Sequence, residues 1–141
     1  MLVVDNLVKT FGELRAVDSL SMSIDEKTIT LVMGPNGSGK TTLINCISGF
    51  LQPNQGKVLY KDIDITGLPP HSIAKYGLVK TFQIPAPFKK LTVLENLLVS
   101  YPSNRGESLL RASFKRSWMD DEREAVKIAT GIMKLLKLED L

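Results

Sequence analysis

The eight residues Gly34-Pro35-Asn36-Gly37-Ser38-Gly39-Lys40-Thr41 carry the spacing G-x-x-x-x-G-K-[ST], which occurs once in the chain. That spacing suits one task, holding the phosphates of a nucleotide. Glycines let successive backbone N–H groups turn inward around phosphate oxygens, and a helix beginning at the lysine adds the positive end of its dipole. Lys40 can then reach the outer phosphates, and the Thr41 hydroxyl is placed to ligate magnesium. The bare pattern arises by chance in on the order of one chain in several hundred of this length.

These residues work only if the right elements flank them. Ahead of the loop, "TITLVM" (Thr28 to Met33) is apolar and β-branched and reads as a strand running into it. Behind it, "KTTLINCISGFL" has Leu43, Ile44 and Ile47 at helical spacing and then Gly49, which predicts a helix of about three turns stopped by glycine. "LVVDNLVKTF" and "SLSMSI" read as earlier strands, "QPNQG" as a turn and "KVLY" as a strand leaving it. "LPPHSIAKYG" predicts a short helix with proline in its first turn and Gly77 behind it; "LVKTF" (Leu78 to Phe82) is the next strand, followed by Gln83. "IPAPF" is irregular, because its prolines fix the backbone and remove donors.

The character then changes. Thr92 and Glu95 form a capping box ahead of Val93, Leu94, Leu97 and Leu98. Residues 101–119 are polar, with a turn-forming start and one helix expected in the second half. Asp120 to Leu138 places Ala125, Ile128, Ile132 and Leu135 on one helical face, with acids first and lysines last, as the helix dipole prefers. The expectation is an α/β nucleotide-binding core over residues 1–88, incomplete, and the start of an α-helical subdomain over 89–141.

Composition agrees with this reading. The chain has 141 residues, 43% of them apolar, which suffices for a core and argues against disorder. Its 18 basic and 15 acidic residues are scattered, so the net +3 forms no basic stripe and speaks against a nucleic-acid partner. Cys46, the single cysteine, has no thiol partner and is expected to pack on its helix as a small apolar residue in a reducing compartment. The first residues do not read as a signal peptide, and no segment approaches the roughly 20 apolar residues of a membrane span. The expected location is cytoplasmic, with any membrane link made through a partner. His71, the only histidine, is expected to be structural.

With loop and flanks read, the chain resembles the ATP-binding subunits of ABC transporters, from Leu2 to its C-terminus. "GPNGSGKTTL" is similar to that family's phosphate loop, "TFQ" to its Q-loop, "LTVLENLLV" to the helix entering its helical subdomain, and "VKTFGELRAVDSLSMSI" to the segment bearing its base-stacking aromatic. The fold implied is a P-loop NTPase of the ABC ATPase type, with N-terminal antiparallel strands and a parallel core that is incomplete here. The resemblance implies ATP and Mg2+ as cofactors. It assigns Gly34, Asn36, Gly37, Ser38, Gly39, Lys40, Thr41 and Thr42 to the phosphates, Thr41 and Gln83 to the metal, and Lys40 and Gln83 to catalysis, with Gln83 sensing the magnesium and attacking water. Phe11 becomes the stacking aromatic, worth about 1–3 kcal/mol by analogy with bases stacked on aromatic side chains; otherwise it is a core residue.

Within the family, "GLPPHSIAKYGLVKTFQ" and "FKKLTVLENLLVS" are most similar to the importer subunits for branched-chain amino acids, with Lys80 where arginine would be expected. That implies a second ATPase subunit, transmembrane permease subunits that hold it on the inner face of the membrane, and, indirectly, an extracytoplasmic solute-binding protein. The segment Ile84 to Lys90 would transmit motion to the permease.

Hydrolysis needs charge neutralisation and a group that orients water. The family supplies these from an apolar strand ending in Asp-Glu, the Walker B segment, and from a Ser-Gly-Gly signature loop; neither occurs in these residues, and "MLVVDN" is only a look-alike. The chain alone is therefore expected to bind ATP without turning it over, and its two parallel strands to expose a sticky edge. Three classes follow: part of an ATP-hydrolysing importer subunit, which is the reading adopted; a nucleotide-binding fragment without hydrolysis of its own; and a non-transport ATPase of the same superfamily.

Overall fold

A computed structural model describes residues 1–84, 86–101 and 119–138. The chain divides into two compact units, Met1–Phe82 and Gln83–Leu141.

The first unit is built on an antiparallel sheet. Strands β1 (Leu2–Phe11) and β2 (Leu14–Ile24) form a hairpin whose last pair is Phe11 with Leu14; β3 (Gln55–Tyr60) pairs with the other edge of β1, and β4 (Ile63–Asp64) with β3, giving the order β2-β1-β3-β4. β1 is thus central, and its alternation is interrupted by a bulge. Asp5 and Asn6 are both exposed between buried Val4 and Leu7, and Asn6 takes a left-handed φ of 47° while its N–H donates to Ser21 Oγ at 2.9 Å. Asparagine tolerates that conformation, so the extra residue re-aims Leu7 into the core. Helices α1 (Lys40–Ile47) and α2 (Pro70–Lys75) supply Leu43, Cys46 and Ile73 to a cluster with Val4, Leu7, Val17, Val58 and Ile65. Cys46 is buried there, as its helix position led one to expect.

Two expectations about this unit need correction. Thr28–Met33 and Leu78–Phe82, expected as parallel strands, belong to no ladder among the described residues. The whole of 28–33 is exposed, with Ile29 at 102% and Met33 at 80% of full exposure. Local β preference makes a segment extended, but a strand exists only through a hydrogen-bonded neighbour, and none of the described residues provides one. The second correction concerns α1, which has eight residues, about two turns instead of three. It ends early because the Asn45 carbonyl accepts from both Phe50 N–H (2.9 Å) and Leu51 N–H (3.1 Å), with Gly49 turning the chain at φ 77°.

The second unit contains α3 (Val93–Val99) and α4 (Met119–Leu135). The capping box is formed as expected: Thr92 N–H donates to Glu95 Oε2 at 2.7 Å, and Glu95 N–H to Thr92 Oγ1 at 3.2 Å. Asn96 ties the preceding loop to the helix, accepting from Phe88 N–H and donating to the carbonyls of Phe88, Leu91 and Thr92. α3 and α4 are neighbours, and Leu97 of α3 with Ala125, Ile128, Ala129 and Ile132 of α4 lines an open cleft beside them. Ala125 and Ala129 are the buried pair, whereas Leu135, expected on the same face, is 81% exposed. The helix expected in the second half of 101–119 lies outside the described residues.

Candidate functional site

The phosphate-type loop leaves the exposed Thr28–Met33 segment and enters α1. Its glycines adopt the conformations the motif needs, with φ of 83° at Gly37 and 86° at Gly39. Gly39 is the N-cap of α1, so no side-chain acceptor caps the helix, and the first turn carries no acid. Early N–H groups of a helix have no intrahelical partner. Here no side chain takes them up, at the end of the helix where the dipole favours an anion.

Glycine at position 39 has a further reason that the motif alone does not reveal. A Cβ there would stand 2.1 Å from the Ala16 carbonyl oxygen, so loop and β2 touch backbone to backbone. That approach brings Ala16, Val17, Asp18 and Leu20 of β2 to a cleft of about 370 Å³ beside Gly34, Ser38, Gly39 and Lys40. Asp18, the one acid among these lining residues, accepts from Arg15 Nη1 at 2.8 Å and from Ser19 Oγ at 3.1 Å, and these bonds, the arginine's first, hold its carboxyl below the usual range. Its charge is thus matched on the rim.

Lys40 folds back over the loop. Its Nζ donates to the carbonyls of Gly34 (2.8 Å) and Pro35 (2.7 Å) and stands 3.4 Å from Ser38 Oγ. Three ammonium protons thus meet three oxygens of the same loop. The cation is pinned over the loop by its carbonyls. A phosphate arriving there would exchange some of these bonds for stronger charge-assisted ones.

Thr41 and Thr42 occupy the first turn of α1, Thr41 exposed and Thr42 half-buried. Asn36 and Gly37 sit on the exposed crest of the loop. Phe11 lies at the end of β1, 47% exposed, with Lys9 Nζ 5.2 Å from its ring centroid. It is outside the core cluster and is not among the residues lining the cleft. Gln83 is exposed and is the first residue of the second unit. Residues that sequence reasoning did not single out are Ala16, Val17, Asp18 and Leu20 of the cleft lining; the approach of Ala16 and Val17 to Gly39 spans more than twenty positions and leaves no local pattern. Among the described residues no three of His, Cys, Asp or Glu gather as a metal site, and no helix is long and apolar enough to cross a membrane.

Comparison with known proteins gives these features a setting. A family model described as "ABC transporter" matches residues 17–141. The chain is 47% identical over 137 residues to the "Probable branched-chain amino acid transport ATP-binding protein LivG" of Methanocaldococcus jannaschii, covering 97% of this chain and 53% of that protein. It is 47% identical over 141 residues to the protein of the same description from Archaeoglobus fulgidus, covering 100% of this chain and 54% of that one. Among solved structures it is similar to the ADP conformation of an ATP-binding cassette of an ABC transporter, at 46% identity and a TM-score of 0.77 over 99% of this chain and 55% of that one. The chain therefore spans about half the length of the relatives it matches.

Proposed function

Because this chain belongs to the ABC transporter family, we propose that it is the nucleotide-binding part of an ATP-hydrolysing subunit that powers import of branched-chain amino acids. The observation that carries the proposal is the loop itself, where Lys40 Nζ is held by the carbonyls of Gly34 and Pro35 and Gly39 rests against β2 at the uncapped start of α1. The names of its relatives support the branched-chain importer over a non-transport ATPase.

In this reading residues 1–88 are the nucleotide-binding core and 89–141 open the helical subdomain. The amides of Gly34 to Gly39, with Asn36 and Ser38, cradle phosphate oxygens. Lys40 gives up loop carbonyls to reach the outer phosphates, and Thr42 contacts a phosphate from the first turn. The donor set fits magnesium carried in with the nucleotide: the exposed Thr41 hydroxyl in the first turn of α1 is a hard oxygen donor, and Mg2+ is commonly held by few protein groups together with phosphates and waters. Thr41 would hold it and Gln83 would sense it, while the ion would neutralise phosphate charge. Phe11, exposed at the hairpin end, would stack on the base. A second ATPase subunit, permease subunits with their solute-binding protein, and a position on the inner face of the membrane complete the assignment. Ile84 to Lys90 would relay motion to the permease.

The test is Mg-ATP binding and turnover by the purified chain, beside Lys40→Ala, with and without a separate polypeptide that supplies the Asp-Glu strand and the Ser-Gly-Gly loop. Binding is expected in the wild type, lost in Lys40→Ala, and turnover expected only with that polypeptide. Undiminished binding by Lys40→Ala would remove the loop from the site, and turnover by the chain alone would show that these residues hold catalytic groups unassigned here.

A further inference from the structure

Lys80 makes contacts that the nucleotide reading does not use. Its Nζ donates to Asn45 Oδ1, a side chain on the last turn of α1. The same ammonium stands 4.8 Å from the ring centroids of both Phe50 and Phe82, and those rings meet edge to face at 5.5 Å and 87°. One cation therefore joins the helix that starts at the phosphate loop, the turn that follows it, and the last residue before Gln83.

The arrangement has a physical logic. α1 has no basic residue in its last turn, where its dipole favours a cation, and Lys80 brings one from 35 positions further along. Within the segment it holds, Leu78 packs against the core, whereas Val79 and Phe82 are 75% and 60% exposed and Leu78–Phe82 joins no ladder among the described residues. The part beyond Leu78 therefore relies on such discrete contacts to keep its place. The lysine stem is half-buried while its charged end sits between aromatic faces, a geometry in which the cation attracts both ring quadrupoles at once.

We propose that Lys80 is a positioning residue: by fastening Phe82 to Asn45 and Phe50, it ties the chain entering Gln83 to the helix whose other end carries Lys40 and Thr41. This rests on Gln83 responding to magnesium. A shift of α1 on nucleotide binding would then be felt at the point where the chain leaves for Gln83, and the reverse.

The experiment titrates the full 141-residue chain with ATP in excess Mg2+ and with ATP in EDTA, comparing wild type, Lys80→Met, Lys80→Arg, Gln83→Ala and the Lys80→Met/Gln83→Ala double variant. Methionine keeps the apolar stem and removes the charge. Arginine keeps a donor for Asn45 and a cation for both rings. The proposal expects Lys80→Met to bind ATP in EDTA within about twofold of wild type and to lose about five- to tenfold of the gain that Mg2+ confers. It expects Lys80→Arg to restore that gain and the double variant to be no weaker than Gln83→Ala, since residues acting as one unit are not additive. An equal loss with and without Mg2+ would make Lys80 a structural brace only and overturn the proposal, as would an unchanged magnesium gain in Lys80→Met when Gln83→Ala has lost it. If Gln83→Ala keeps the full gain, the magnesium role of Gln83 falls and the proposal falls with it. Should Lys80→Met not fold by circular dichroism, Asn45→Ala, which severs the same bond from a half-exposed side chain, is read by the same criteria.

Discussion

Replacing Gly39 by alanine tests the tie between loop and sheet most directly. Two costs are readable from the geometry. The residue has φ 86°, and a side-chain-bearing residue in the left-handed region costs about 1–2 kcal/mol. The new methyl would lie 2.1 Å from the Ala16 oxygen and 3.3 Å from its carbon, whereas a carbon normally approaches a carbonyl oxygen to about 3.3–3.6 Å. The loop or β2 must therefore yield by more than about 1 Å, and because both atoms are backbone no rotamer change relieves the contact. Overpacking of this kind costs about 1–3 kcal/mol, for a total of about 2–5 kcal/mol. Gly37→Ala is the control: its φ is 83°, yet a Cβ there meets nothing within 4 Å, so only the conformational part, about 1–2 kcal/mol, applies. Urea unfolding followed by circular dichroism should place Gly39→Ala about 1–3 kcal/mol below Gly37→Ala. Mg-ATP affinity should fall in the same order, since the displaced backbone includes the N-cap of α1. Equal stability of the two variants, within about 0.5 kcal/mol, would refute the claim that the Ala16 contact sets the loop.

Other predictions concern the parts that hold the site. Leu7→Ala removes a fully buried side chain from the central strand and should cost about 2–5 kcal/mol in urea unfolding, with an intact denaturation midpoint arguing against the bulge-directed core. Glu95 is held below its usual 4.5, first by the Thr92 N–H and then by the Thr92 hydroxyl. A depressed carboxyl contributes stability above its unfolded value and loses it as pH falls through the folded one, so exchange of the Thr92 and Glu95 amides should accelerate as pH drops below 4.5 after correction for intrinsic rates, and Glu95→Gln should flatten that dependence. Cys46 is 2% exposed and burial raises its thiol above the ordinary range; the folded chain should resist an aromatic disulfide reagent at neutral pH and react promptly in urea, and equal rates in both would place the thiol outside the core.

The features legible in the sequence are those whose causes lie within a few residues. Proline at the start of α2, the Thr92–Glu95 box and the glycine that ends α1 are local hydrogen-bond and dihedral chemistry, and each appears where the residues demand it. The β4 hairpin was missed because Lys61 and Asp62 both take positive φ, 50° and 63°, in a two-residue turn where Asn-Gly is the usual signal.

By itself the sequence determined the loop: the order of glycines, lysine and threonine from Gly34 to Thr41 dictates a turn through left-handed glycines into a helix start, and the structure has Gly37 and Gly39 at positive φ with α1 beginning at Lys40. Only the tertiary structure decided that this loop rests on the Ala16 carbonyl, that Lys80 reaches Asn45, and that Thr28–Met33 stays outside any ladder among the described residues. The physical reason is the same in all three. A backbone turn is set by neighbours along the chain, whereas a close approach, a distant hydrogen bond and a strand each require a partner that sequence position does not specify.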